Sequence, residues 1–118
     1  MDAAHLARLE KKKWLLAQFA ELMVEEERAK GTFEQTPHYS ILERAARELG
    51  REASREVQRR AAAEVASAQE ATAACPACGC ACRTFTRSRD VKSVDGPVEL
   101  IEPVAHCPTC RRDFFPST

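Results

Sequence analysis

Two short cysteine pairs are the residues of this 118-residue chain best suited to chemistry. Pro-Ala separates Cys75 from Cys78, and Pro-Thr separates Cys107 from Cys110. Two intervening residues place both sulfurs of a pair on one side of a tight turn, and two such pairs supply the four ligands of a tetrahedral metal. The sequence therefore predicts a structural Zn²⁺ site formed by these four cysteines.

A site closed by four thiolates has no open coordination position, so it stabilises structure and does not activate water. We therefore expect a protein that is not an enzyme and has no small-molecule substrate. Rubredoxin-type electron carriers hold iron with similarly spaced cysteine pairs, which leaves that function as a third alternative. They usually pack the metal with several aromatic residues, whereas the segment from residue 75 onward contains three Phe and no Tyr or Trp.

Cys80, Cys82 and His106 are further candidate ligands close to the two pairs. Neither Cys80 nor Cys82 has the two-residue spacing from Cys75, so we expect both to be free thiols. His106 precedes Cys107 directly, and we expect it to be a strand residue.

The segment between the cysteine pairs has the pattern of a β-hairpin. Residues 83–94 alternate and include β-branched side chains, Asp95-Gly96 is a hairpin turn signal, and residues 97–105 return. Pro103 restricts the second strand to an edge or ends it early. A hairpin flanked by two cysteine turns is typical of a zinc ribbon, whose expected small core is Phe85, Leu100, Phe114 and Phe115.

The cysteine-free first part predicts two helices, at about residues 3–30 and 40–72. Gly31 would end the first helix, and the second would begin either at a Ser40–Glu43 capping box or at Thr36-Pro37. The expected fold is small α+β: a helical hairpin or coiled coil over residues 1–74, followed by a zinc ribbon over residues 75–118. The second helix carries a predicted apolar stripe of Leu42, Ala45, Leu49, Ala53, Val57, Ala61, Val65 and Ala68.

Composition and charge narrow the class of protein. The formal net charge is zero, so any binding of nucleic acid must come from a local patch. No signal-peptide core and no apolar stretch of the roughly 20 residues needed for a membrane span are present. We expect a cytoplasmic protein without membrane contact, in which six cysteines indicate metal rather than disulfides.

Five arginines around the predicted ribbon are candidates for DNA contact. Alternation would place Arg83, Arg87 and Arg89 on one face of the first strand, and Arg111 and Arg112 follow the second cysteine pair. A solvated strand face is the alternative interpretation. Acidic residues counter these arginines, namely Asp90, Asp95, Glu99, Glu102 and Asp113.

Three strings together resemble a known family. These are Cys75-Pro-x-Cys78-Gly79, Ser93-Val-Asp-Gly-Pro-Val98 and Cys107-Pro-x-Cys-Arg-Arg-x-Phe-Phe-Pro116. They resemble the N-terminal zinc-binding region of bacterial insertion-sequence transposases of the IS-Kra type, over about residues 35–118. The resemblance implies a region for DNA recognition or assembly, placed before an RNase-H-type catalytic domain that would lie beyond Pro116.

Two functions therefore lead at this point. The first is a non-catalytic DNA-binding or assembly module of transposase type. The second is an interaction module whose helices form a homodimer or dock on a helical partner, with the metal serving only the fold.

Overall fold

The computed structural model describes residues 2–116 and has a small α+β fold, with two helices followed by a four-stranded antiparallel sheet. Contacts divide the described chain into residues 2–49 and residues 50–116, so the second helix contributes to both units. The domain boundary predicted at residue 74 stays a prediction, because contacts do not show which segment folds alone. The elements are α1 (Ala3–Ala29), α2 (Tyr39–Ser67), β1 (Thr72–Ala74), β2 (Ala81–Ser93), β3 (Gly96–Cys107) and β4 (Arg112–Phe114).

Helix α1 has well-formed ends and an uncovered surface. The Asp2 side chain accepts a hydrogen bond from the backbone N–H of His5 and caps the first turn. Gly31 has φ +86°, and Thr32 N–H donates to the Glu27 carbonyl, which is the Schellman pattern that ends helices. No residue of α1 is buried. None of the helices in residues 2–116 combines the length and apolarity needed to cross a membrane.

Helix α2 begins one residue before the predicted capping box and is capped by a residue that the sequence did not suggest. The His38 ring nitrogen Nδ1 lies 3.2 Å from the backbone N–H of Ser40 and accepts from it. That N–H is one of the unsatisfied donors of a helix start, so His38 takes the role expected of Ser40 or Thr36.

The end of α2 differs from the prediction, because the helix stops at Ser67 and not near residue 72. The Thr84 side chain donates to the Glu70 carbonyl at 2.6 Å, and the Thr84 N–H donates to the Ala71 carbonyl at 3.0 Å. These bonds to β2 replace the helical bonds that the two carbonyls would otherwise accept. Pairing with a distant strand therefore ends a segment whose Ala-rich composition favours helix.

The sheet has the order β1-β2-β3-β4 with every neighbouring pair antiparallel. Strands β2 and β3 pair from Thr84↔Ala105 to Ser93↔Gly96, and the chain reverses between them at Asp95. The two short strands flank this long pair and lie next to the cysteine turns.

The buried part of the sheet is small and is built from small side chains. Cys75, Cys82, Ala105 and Cys107 form one buried cluster, against which Phe114 packs. Other predicted core residues lie outside it, since Phe85 is 44% exposed and Phe115 is 53% exposed. Val98 and Val104 are also buried on β3.

The second half of α2 is fixed to the β2–β3 turn. The Ser54 hydroxyl donates to Asp95 Oδ2 at 2.5 Å, and Arg55 Nη1 donates to the Asp95 carbonyl at 2.7 Å. Ala66 is buried, whereas Val57 and Val65 are 66% and 63% exposed. The predicted apolar stripe of α2 is thus largely exposed here, because the contacts to Asp95 orient a different face of the helix inward.

Candidate metal centre

The strand pairing brings the two cysteine pairs together. Residues 75–80 connect β1 to β2, and residues 108–111 connect β3 to β4. Since β2 and β3 are antiparallel and the chain reverses at Asp95, both cysteine turns lie at the opposite end of this strand pair. The 28 residues between Cys78 and Cys107 include the β2–β3 strand pair, which holds the two cysteine turns side by side.

The two cysteine turns have the same backbone conformation. The Gly79 N–H donates to the Cys75 carbonyl at 2.8 Å, and the Arg111 N–H donates to the Cys107 carbonyl at 2.8 Å. Gly79 has φ +75° and Arg111 has φ +55°, so the residue after each second cysteine is left-handed. This conformation turns backbone N–H groups toward the sulfurs, as at Cys110, whose N–H lies 3.3 Å from Cys107 Sγ.

The four sulfurs are at the spacing that a tetrahedral metal requires. The Sγ atoms of Cys75, Cys78, Cys107 and Cys110 all lie within 4.8 Å of one another. Cys75 Sγ lies 3.9 Å from Cys110 Sγ, and Cys78 Sγ lies 3.6 Å from Cys107 Sγ. Zinc–sulfur bonds of about 2.3 Å place tetrahedral sulfurs about 3.8 Å apart. The four cysteines could therefore hold one metal ion with little movement.

One cysteine of each pair is prepared to be a thiolate. The backbone N–H of Cys110, followed by weaker effects, lowers the pKa of Cys107 to about 6. The backbone N–H groups of Cys78 and Ala77 likewise lower the pKa of Cys75. Hydrogen bonds to a thiolate favour the charged form that binds metals.

The other cysteine of each pair favours the neutral thiol. The Cys78 sulfur, followed by the sulfurs of Cys107 and Cys75, raises the pKa of Cys110 to about 12. The Cys80 N–H acts to lower the pKa of Cys78, but the Cys107 sulfur and burial raise it overall. Sulfurs this close cannot all be negative without a compensating charge. A divalent cation would supply that charge, so the donor set fits a metal such as zinc.

The remaining candidate ligands lie outside this group of four. Cys82 is 2% exposed, and burial raises the pKa of its thiol to about 12. Its Sγ donates to the Cys80 carbonyl at 3.3 Å, while Cys80 Sγ lies 3.7 Å from the Ala81 carbonyl. His106 is a β3 residue whose Nδ1 lies 2.8 Å from Asp113 Oδ1. Within residues 2–116 the structure therefore groups only the two spaced pairs.

Two of the five arginines predicted to contact DNA are engaged by carboxylates. Arg89 Nε lies 2.9 Å and Arg87 Nε lies 3.7 Å from Glu102 Oε1. Arg87 also lies 3.5 Å from Asp113 Oδ2, with its guanidinium 5.8 Å from the Phe115 ring centre. Each of these ion pairs offsets part of the positive charge that a phosphate would meet, although a guanidinium keeps further N–H donors.

The other three arginines adjoin the cysteine turns. Arg83 pairs with Thr72 across β1 and β2, Arg111 ends the second turn, and Arg112 pairs with Cys107. No ion pair involves these three within the described part of the chain. Contact of the five arginines with DNA stays a prediction.

The sequence interpretation missed the role of Arg111. Its backbone stands where Gly79 stands in the first turn, although its side chain resists a left-handed conformation. The repeat of the Cys-Pro-x-Cys motif could have indicated this conformation. The motif is followed by Gly in the first turn and by Arg in the second, so Arg111 occupies the position of Gly79.

Comparison with protein-family models, curated proteins and solved structures found no match to this chain. The chemistry of the four sulfurs and the surfaces of the helices are therefore the basis for a function.

Proposed function

We propose that this protein is a non-catalytic assembly module whose sheet is held together by one Zn²⁺ bound to Cys75, Cys78, Cys107 and Cys110. The sulfur spacing supports the metal, since distances of 3.6 and 3.9 Å lie on either side of the tetrahedral edge. When bound, the ion supplies folding free energy and no chemistry, because four thiolates fill its coordination sphere.

Zinc fits this site better than iron because few aromatic side chains surround the four sulfurs. Phe114 packs against the cysteine cluster, whereas Phe85 and Phe115 are 44% and 53% exposed. Cys78 is exposed as well. An electron carrier uses burial and hydrogen bonds around the sulfurs to set its potential, and this site lacks an aromatic enclosure among residues 2–116. A structural role requires no such enclosure.

The surface of α1 supports assembly and carries this part of the proposal. The helix has 27 residues and buries none of them. Many of its large apolar side chains are more than a third exposed: Leu6, Leu9, Trp14, Leu15, Leu16, Phe19, Leu22 and Val24. Those between Leu15 and Leu22 share one side of the helix, and an exposed apolar patch of this kind marks an interaction site in proteins.

Helix stability gives the same indication. An isolated helix in water is marginal even with good helix formers, because most helical stability comes from packing an apolar face. Because these side chains are already about half covered, each Leu or Phe that a partner buries would contribute about 1 kcal/mol. A partner surface would therefore stabilise α1 more than anything else available to it. An assembly region is also one of the two roles that the resemblance to IS-Kra transposases implies.

The proposal is tested by sedimentation velocity and hydrogen exchange of the zinc-loaded full chain over a hundredfold range of concentration. We expect a concentration-dependent shift from monomer to oligomer. Backbone amides of residues 3–29 should become protected over the same range, because the partner covers α1.

A matched control is the second half of α2, which lies in the same unit as the sheet. Its amides should show protection that is independent of concentration. A protein that stays monomeric at every concentration, with rapid exchange throughout α1, would contradict the assembly function.

A further inference from the structure

The large apolar residues of α1 are spaced symmetrically on either side of Phe19. Leu15 and Leu16 precede Phe19 by four and three residues, and Leu22 and Met23 follow it by three and four. At 3.6 residues per turn, all five lie within about 60° of Phe19 on the helix surface. We call these five residues the Phe19 face. The exposed fractions of its side chains are 48% for Leu15, 57% for Leu16, 41% for Phe19 and 56% for Leu22.

Building on the proposed function, we propose that the Phe19 face binds the same face of a second copy of this chain, with the two α1 helices antiparallel and crossing at Phe19. A twofold interface brings the same surface patch of each copy together. A twofold axis at Phe19 places Leu15 opposite the partner copy's Met23 and Leu16 opposite the partner copy's Leu22. The near-palindromic spacing is what such a pairing requires, because every apolar side chain then meets another.

The charges on either side of the Phe19 face distinguish this partner from others. Lys11-Lys12-Lys13 precedes the Phe19 face along α1 and Glu25-Glu26-Glu27 follows it. Lys12 and Glu26 stand seven residues before and after Phe19, so an antiparallel copy places the basic run of each helix against the acidic run of the other.

A parallel arrangement would have the opposite charge balance. Lys11-Lys12-Lys13 would then face its own copy, as would Glu25-Glu26-Glu27, and like charges in such contacts are destabilising. The charge pattern thus selects both the partner and its direction. It also gives the acidic run a role that offsets its unfavourable position near the helix C-terminus.

The contacts of the acidic run within its own chain are weak enough to permit this pairing. Lys30 Nζ lies 3.9 Å from Glu26 Oε1 and 3.5 Å from Glu27 Oε1, and the Lys30 side chain is 59% exposed. Exposed ion pairs of this type contribute little to stability. The Thr32 hydroxyl donates to Glu27 at 2.8 Å, whereas no ion pair within residues 2–116 involves Lys11, Lys12 or Lys13.

The experiment reverses the charges in the zinc-loaded full chain and measures dimer dissociation by sedimentation equilibrium. The first variant is K11E/K12E/K13E, the second is E25K/E26K/E27K, and the third carries all six changes. The first and second place like charges opposite each other in the antiparallel dimer, so we expect each to dissociate at least tenfold more readily. The third restores opposite charges, and we expect a dissociation constant within about threefold of wild type.

An equimolar mixture of the first and second variants should form a heterodimer, because each then carries the charges that the other lacks.

Circular dichroism of each variant shows whether the helix is retained. Residues 25–27 lie near the C-terminal end of α1, where basic side chains favour the helix, and residues 11–13 lie beyond its first turn, where the helix dipole has little effect. Loss of α1 is therefore not expected to explain weaker dimers. As a control for apolar exposure, Trp14→Gln changes a side chain that is 62% exposed but lies about 140° from Phe19. It should leave the dimer unchanged, whereas Phe19→Gln should weaken it.

The outcomes separate this inference from the assembly function. If wild type forms a dimer that K11E/K12E/K13E leaves equally stable, the antiparallel charge pairing is wrong while assembly through another arrangement stands. If wild type is monomeric with an unprotected α1, both the inference and the assembly function are wrong.

Discussion

Cys107 shows how a local turn prepares a sulfur to bind a metal. The N–H of Cys110 reaches its Sγ at 3.3 Å and lowers the pKa of Cys107 to about 6. The spacing of each cysteine pair predicted which sulfurs meet, because two intervening residues are typical of metal-binding turns. The conformation of Arg111 was not predictable from residue type, since a non-glycine residue is rarely left-handed.

A pair of substitutions tests the two left-handed positions. Gly79→Ala should destabilise the first turn by about 1 kcal/mol, because an L-residue resists positive φ, while a Cβ there meets no atom within 4 Å. Zinc affinity should fall roughly fivefold if metal binding supplies the folding free energy. Chelator competition on the full chain measures this affinity.

Arg111→Gly is the matched variant, because it relieves strain at the equivalent position while adding the chain entropy of glycine. We expect its zinc affinity to stay within about threefold of wild type. Equal loss of affinity in both variants would show that backbone conformation does not explain the effect.

At the scale of elements, the ends of α1 were predictable from nearby residues and the C-terminal end of α2 was not. Gly31 ends α1 through bonds to its own last turn, so the signal lies within a few residues. By contrast, α2 ends where Thr84 of β2 takes the Glu70 and Ala71 carbonyls. A local sequence pattern does not indicate such long-range contacts. The predicted end of α2 was therefore about five residues too late.

Long-range contacts also explain why the predicted apolar stripe is not the side of α2 that faces inward. The predicted stripe contains Val57 and Val65, which are the larger apolar side chains of this half of the helix. The structure instead buries Ala66 and leaves both valines exposed. Ser54 and Arg55 bind Asp95, about 40 residues away, and these polar contacts orient the helix.

Ser54→Ala tests this anchoring of α2. The variant loses a partly buried hydrogen bond to a carboxylate, which typically contributes about 1.5–3 kcal/mol. We expect the free energy of unfolding of the zinc-loaded protein to fall by about 1.5 kcal/mol, as measured by urea denaturation.

Ser67→Ala is the control in the same helix. The Ser67 hydroxyl donates to the Glu64 carbonyl three residues earlier and is exposed. Its removal should change the free energy of unfolding by less than about 0.5 kcal/mol. Similar losses in the two variants would mean that the contact between α2 and Asp95 does not stabilise the fold.

At the scale of the whole molecule, the two proposed roles, metal binding and assembly, fall in different segments. In residues 50–116, small buried side chains and two cysteine turns build a sheet with little apolar area. Below about 80 residues such a core rarely suffices without a metal or another staple. In residues 2–49, α1 exposes large apolar side chains and buries no residue, which is the reason to expect a second chain.

The general architecture followed from the sequence because composition separates helical from cysteine-bearing segments. The exposure of α1 could not be predicted from the sequence. The apolar residues of a helix have the same pattern whether their partner lies within the chain or outside it. DNA binding and kinship to IS-Kra transposases stay predictions, because both are inferred from short sequence motifs alone.

Zinc titration of the reduced, metal-free full chain, followed by hydrogen exchange, tests the metal centre most directly. We expect protection of amides in residues 72–114 to rise linearly and to saturate at one equivalent of zinc per chain. Cys107→Ser should abolish the response and Cys80→Ser should retain it, because only the first removes one of the four grouped sulfurs. A sheet that is equally protected before any zinc is added, or a response that does not saturate at one equivalent, would contradict the structural zinc site.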